Sequence, residues 1–285
     1  MRAQNSAEEA LKRAEFTSSD FGDDAGEKTA EPRKSAIAVG SQWTELAGGV
    51  IHARAALCAP MPALTVVLVH GLVIASAYMV PTAERLAPFC HVYVPDLPGY
   101  GKSYKPPITL TLPRLADALA EWLDALAIAK AHLVGNFFGC QIIAEFALRY
   151  PGKIDRLILQ GPTVDPEARS LHRQLMRLAI NSRREQPSLG RITFVDYAAA
   201  GLRRAGATIQ LALRDRIEDK LPLIHASTLV VRGEKDAVVP QRWAEKAAAL
   251  LPHGALHVIP DTAHTLNYSA PEKFAPIIRS FLGLP

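Results

Sequence analysis

Cysteine is scarce in this 285-residue chain: Cys58, Cys90 and Cys140 form neither a CxxC pair nor a Cys/His metal spacing. A disulfide scaffold and a zinc ribbon are excluded, and the three thiols are expected free and mostly buried in a reducing compartment. Charge of one sign is also lacking, since 32 Lys and Arg stand against 28 Asp and Glu for a net charge of +4. Without a basic stripe or a binding motif, no nucleic-acid partner is expected. Long apolar runs are missing too. No stretch reaches the roughly 18 uncharged apolar residues of a membrane span, and residues 1–36 lack the apolar core of a secretory signal. The expectation is a cytoplasmic protein with no membrane partner.

What is present is apolar mass: 49% of residues are hydrophobic, enough for one large core. Residues 1–36 are expected to be a disordered tail, because Ser, Glu, Lys and Gly dominate there and cannot offset the entropy of ordering. A short helical pattern runs from Ala7 to Glu15 within it. After that, short β-branched runs alternate with segments of helical period, as in a mostly parallel sheet flanked by helices. Strands are predicted at Val50–Ala55, Thr65–Val69, His91–Pro95, His132–Val134, Leu157–Gln160, Thr228–Arg232 and Leu256–Ile259. Helices are predicted at Leu112–Ile128, Gln141–Tyr150, Gln241–Leu251 and Pro271–Leu282. The alternation breaks at 165–222, where a helical, arginine-rich insertion is expected between core segments 37–164 and 223–285. Two readings of its arginines stand: a solvated basic face, or recognition of a carboxylated substrate.

Four segments could carry chemistry. Val66–Leu72 (VVLVHGL) is a buried strand ending in His-Gly, which lets the chain turn sharply at the edge where open α/β sheets bind ligands. Pro95–Ser103 (PDLPGYGKS) is a second strand end with a Gly/Pro-rich loop, compatible with a plain turn. His132–Cys140 (HLVGNFFGC) places Gly-x-x-x-Gly between a strand and a helix, the pattern of a nucleophile elbow, whose central residue is ordinarily the attacking serine. Finally, Asp236 follows one strand and His264 the next. The order elbow, acid, histidine suits a carboxylate that orients an imidazole base.

These motifs together resemble the α/β-hydrolase superfamily from about Trp43 to Leu282. The elbow, Phe146-Ala147-Leu148-Arg149-Tyr150-Pro151 and Leu157–Thr163 are most similar to small-molecule carboxylesterases and meta-cleavage-product carbon–carbon hydrolases. The resemblance implies an oxyanion hole formed by the backbone N–H groups of Leu72 and Phe138, and a cap formed by 165–222. It also implies a small, largely apolar substrate and no cofactor or metal. Ser76, Tyr78 and Ser103 lie in loops near the same edge and are candidate substrate contacts.

The sequence departs from the family at the central elbow position, which is Phe137. A phenyl ring has no lone pair to attack a carbonyl and no proton to give His264, so no acyl-enzyme can form there. Three readings follow: a hydrolase whose serine has been replaced, a pseudo-hydrolase that binds without turnover, or a His264/Asp236 base acting without a nucleophile. Cys140 is a poor substitute, being three residues on and one turn into the helix.

Overall fold

The computed structural model describes residues 38–58 and 64–284. The expected tail, with its Ala7–Glu15 pattern, lies outside them. Eight strands form one sheet in the order β1-β2-β4-β3-β5-β6-β7-β8. They are β1 (Gly40–Leu46), β2 (Gly49–Ala56), β3 (Thr65–Val69), β4 (His91–Pro95), β5 (Ala131–Asn136), β6 (Ile154–Gln160), β7 (Ser227–Gly233) and β8 (Gly254–Ile259). Strands β1/β2 and β2/β4 pair antiparallel, and every other pair is parallel. The parallel strands β3 to β7 are largely apolar and buried on both faces, as helical cover on two sides requires, apart from exposed Asp155 and Arg156 in β6 and Ser227 at the start of β7.

The helices are α1 (Val80–Leu86), α2 (Leu112–Ala125), α3 (Phe138–Arg149), α4 (Leu171–Ser182), α5 (Pro187–Ala200), α6 (Leu202–Arg214), α7 (Ile217–Lys220), α8 (Gln241–Leu250), α9 (Leu266–Ser269) and α10 (Pro271–Leu282). Leu115, Leu119, Trp122 and Leu123 of α2 pack with Phe146 of α3 and Trp243 of α8 on one face of the sheet. Ala83 and Leu86 of α1 pack with Phe274 and Ile278 of α10 on the other. Their spacing of three or four residues is the stripe that drives each helix onto the sheet.

Strand β1 is absent from the sequence reading. Its residues, GSQWTEL, include no buried position, so the apolar signal that marked the other strands is missing, and only pairing with β2 reveals it. The chain moves outward from β3 to β4, then crosses back to β5 and on to β8. Strand order therefore reverses around β3, and the crevice beyond the carboxyl ends of β3 and β5 is where such sheets bind ligands. Between β6 and β7 the chain leaves the sheet entirely and forms α4 to α7. No helix among the described residues is long and apolar enough to cross a membrane.

Candidate active site

The turn between β5 and α3 is built around contact between backbones. A Cβ on Gly139 would lie 2.3 Å from the Val69 carbonyl oxygen, and one on Gly135 would lie 2.7 Å from the Gly139 carbonyl carbon. Both positions must therefore be glycine for α3 to start against β3 and β5. Between them, Phe137 takes φ 55° and ψ −111°, a conformation L-residues rarely adopt. Its N–H donates to the Gln160 carbonyl at 3.0 Å, which anchors the turn to β6.

The Phe137 ring stands edge-on to the His264 imidazole, with centroids 5.1 Å apart and an interplanar angle of 83°. His264 follows β8, and its Nδ1 lies 2.8 Å from Asp236 Oδ2. Asp236 follows β7, and its other oxygen accepts the Val238 and Val239 N–H groups at 2.7 and 2.9 Å. Oδ2 thus accepts a hydrogen bond from the protonated Nδ1, which leaves the lone pair on Nε2. Nε2 is buried and has no hydrogen-bond partner among the described residues. Burial pulls the His264 pKa down, but the charge and hydrogen bond of Asp236, with the charge of Glu185, outweigh it and set the net shift upward.

Close packing holds the imidazole in place. A Cβ on Gly161, at φ 58°, would lie 2.6 Å from His264 Cε1. Gln160 Nε2 donates to the His264 carbonyl at 3.1 Å. From α4, Asn181 Oδ1 accepts the His264 N–H at 3.3 Å. Glu185, just after α4, accepts the Thr265 N–H at 2.7 Å and bonds the Asn181 amide and the Ser269 hydroxyl. Sequence reasoning missed Gly161, Asn181 and Glu185. Gly161 lay inside a quoted motif, whereas a helical pattern alone does not tell which face of α4 meets the histidine loop.

The loop after β3 is held by buried polar groups. His70 Nε2 accepts the Leu97 N–H at 3.1 Å. The Tyr78 hydroxyl accepts the Gly71 N–H at 2.7 Å and donates to Asn136 Oδ1 at 2.8 Å, coupling this loop to the residue before Phe137. Burial keeps the Tyr78 phenol protonated, its pKa raised above the ordinary value. Val73 takes φ 61°, a strained setting for a β-branched residue. Neither the Leu72 nor the Phe138 N–H bonds a backbone acceptor among the described residues.

These elements border an open cavity of about 460 Å³ lined by Leu72, Tyr78, Phe137 and His264 from the sheet side, and by Leu178, Leu189, Thr193 and Tyr197 from α4 and α5. Apart from His264, Glu185 is the one acidic or basic residue on its wall, and none of the insertion's arginines reaches it. The carboxylated-substrate reading of those arginines is therefore corrected. Arg177 pairs with buried Asp165 at 3.0 Å, and Arg242 of α8 reaches the same carboxylate at 2.7 Å. Arg169 pairs with Glu218, Arg184 donates to the Lys235 carbonyl at 2.6 Å, and Arg204 donates to the Pro106 carbonyl at 2.6 Å. They fasten the insertion to itself and to the sheet.

Two further placements differ from the sequence reading. Ser76 is buried away from the cavity, with its N–H on Asp96 Oδ1 at 2.7 Å. Ser103 is likewise buried, its hydroxyl accepting the His52 N–H at 2.9 Å. Tyr78 does line the cavity, but its hydroxyl is committed to Gly71 and Asn136. Cys140 points into the core toward the Gly135 and Gln160 carbonyls, and burial pushes its thiol pKa well up, so no thiolate replaces the missing serine. No group of three or more His, Cys, Asp and Glu among the described residues could hold a metal.

The alpha/beta hydrolase family model matches residues 66–277, and the chain belongs to that family. A 2-hydroxy-6-oxo-2,4-heptadienoate hydrolase of Pseudomonas putida is 26% identical over 76% of this chain and 88% of its own length. An abhydrolase domain-containing protein of Caenorhabditis elegans is 34% identical, but over 36% of this chain and only 25% of its own. Among solved structures, a thermophilic esterase from Thermogutta terrifontis superposes with a TM-score of 0.71 at 26% identity, covering 86% of this chain and 98% of the esterase. The chain is thus an α/β hydrolase of the small-molecule type.

Proposed function

We propose that this protein is a small-molecule hydrolase by descent whose elbow no longer carries a nucleophile. Its cavity binds a small, largely apolar ligand beside the His264–Asp236 pair, and no acyl transfer passes through position 137. Residues 165–222 act as the cap over that ligand. The observation that carries this reading is the pairing of Phe137, at φ 55°, with an imidazole whose Nε2 has no partner. A serine in that backbone setting would present its hydroxyl to Nε2, and the Leu72 and Phe138 N–H groups would receive the developing oxyanion. Relatives named as an esterase and as a dienoate hydrolase support ester or carbon–carbon substrates.

The test is steady-state hydrolysis of a nitrophenyl ester panel by the natural chain, Phe137→Ser, and Phe137→Ser with His264→Ala. Phe137→Ser is expected to raise turnover by orders of magnitude, and His264→Ala to abolish the gain. A Phe137→Ser protein that binds ligand yet turns over no faster than the natural chain overturns the reading.

The free Nε2 lone pair also favours a second reading, in which His264 removes a proton from a bound carbon acid without any nucleophile. Deuterium exchange into a bound carbon acid by the natural chain, absent in His264→Ala, would support it. Equal exchange by both proteins would reject it.

A further inference from the structure

The sheet carries a second histidine–aspartate pair, remote in sequence from the first. His52 in β2 is buried, and its Nδ1 lies 2.7 Å from Oδ2 of buried Asp96. The Asp96 carboxylate also accepts the Ser76 N–H at 2.7 Å and the Lys102 N–H at 3.0 Å. Burial alone would raise its pKa, but the hydrogen bonds from His52, Lys102 and Ser76 overcome that and hold it at about 2. An ionised carboxylate only accepts, so His52 Nδ1 carries the proton and Nε2 presents a lone pair. What meets that lone pair is the Ser41 hydroxyl, 3.0 Å away on exposed strand β1.

The surroundings suit an activated hydroxyl. In the β1/β2 register Ser41 faces Arg54 and Trp43 faces His52, so all four side chains share one face of the sheet. The Trp43 ring lies against the imidazole, with centroids 4.7 Å apart, while remaining 55% exposed. Arg54 is half-buried, with an Nε that has no hydrogen-bond partner among the described residues, and brings a positive charge beside the serine.

We infer that Ser41, His52 and Asp96 form a second nucleophilic site, in which Ser41 takes the acyl group of an activated ester at the sheet edge. Ser41 Oγ bonds to the ester carbonyl carbon as its proton passes to His52 Nε2, and the alkoxide or phenolate leaves as the carbonyl re-forms. Arg54 favours the transient negative charge, and Trp43 offers an apolar shelf to the acyl chain.

The experiment treats the natural chain, which has no elbow hydroxyl, with p-nitrophenyl acetate, and maps acetylated peptides by mass spectrometry over time. Ser41 is expected to acetylate at least about 100-fold faster than in the same chain unfolded in urea, the scale general-base assistance supplies. Ser41→Ala should lose this adduct while keeping the fold, because the side chain is exposed, and His52→Gln should slow it by a similar factor. Acetylation of Ser41 no faster in the folded than in the unfolded chain, or acetyl groups on lysines alone, overturns the inference. The unfolded-chain comparison decides the matter even if His52→Gln does not fold.

Discussion

The two histidine–aspartate pairs begin alike and end differently. In each, Nδ1 meets a buried carboxylate, at 2.8 Å for His264 and 2.7 Å for His52, and Nε2 is left as the acceptor. Beyond His264 Nε2 there is a cavity, a strained elbow and two backbone N–H groups with no backbone acceptor among the described residues, but a phenyl ring instead of a hydroxyl. Beyond His52 Nε2 there is a hydroxyl on an exposed strand. An orienting carboxylate is thus the part of a triad most easily built, needing only two strand ends or a strand and a loop. The expensive parts are the strained turn and the cavity, which the first pair keeps and the second does not have.

The sharpest way to test the first pair is Asp236→Asn in the Phe137→Ser background. With the carboxylate gone the imidazole takes the wrong tautomer, and kcat on nitrophenyl esters should fall by about 10⁴-fold. A loss under tenfold would mean that Gly161, Gln160 and Asn181 hold the ring without help from Asp236. The next effect is on stability and contrasts the two regions' backbones. Gly139→Ala drives a Cβ into the Val69 carbonyl and should lower unfolding free energy in urea by about 1–3 kcal/mol, whereas Gly40→Ala on β1 meets only the Ala55 carbonyl at 3.9 Å and should change it by less than about 0.5 kcal/mol. Equal losses would erase the distinction between a packed elbow and an open edge. Smaller again is Tyr78→Phe in the Phe137→Ser protein, which leaves the Gly71 N–H and Asn136 Oδ1 buried without their shared hydroxyl. Such a loss is worth about 1–3 kcal/mol, and kcat should fall about tenfold with KM nearly unchanged, because the loop carrying Leu72 loses its tie to the elbow.

Much of the first site was readable because its constraints are local. Gly135 and Gly139 mark backbone contact, and the strand ends before Asp236 and His264 carry continuous apolar runs, so their convergence follows from a parallel sheet. The fold class was legible for the same reason. The second pair was not, because Ser41, His52 and Asp96 meet only through the pairing of β1 with β2 and of β2 with β4, and β1 has no buried residue to announce it. The 95–103 loop read as a plain turn, although Gly101, at φ 51°, leaves no room for a Cβ beside the Asp96 carboxylate. The arginines of the insertion stayed ambiguous because composition does not reveal partners. Asp165, Glu218 and the carbonyls of Lys235 and Pro106 hold Arg177, Arg169, Arg184 and Arg204, while Arg183, Arg191, Arg203 and Arg214 are exposed.

The smallest effect concerns the first pair and is read by titration. His264 has its pKa raised in the folded chain, against burial, by Asp236 and Glu185, with Arg232 opposing. A group raised on folding stabilises the native state fully below its unfolded value near 6.5, and that contribution is lost as pH rises through the higher folded value. His70, His132 and His257 are shifted the other way, chiefly by burial, so they withdraw stability as pH falls through their lowered values, and the total slope mixes both signs. Glu185→Gln isolates the first contribution. It removes one of the charges that raise His264, so the window of loss should move down toward 6.5 and the stability gained on acidification should shrink. The measurement is the urea midpoint of the natural chain and of Glu185→Gln at a series of pH values from 5.5 to 8.5 (about one unit below and two above the reference value). The hydrogen bonds lost at Thr265 and Ser269 shift the whole curve, whereas only the electrostatic coupling alters its slope. Parallel curves would show that Glu185 holds the histidine loop without tuning the base.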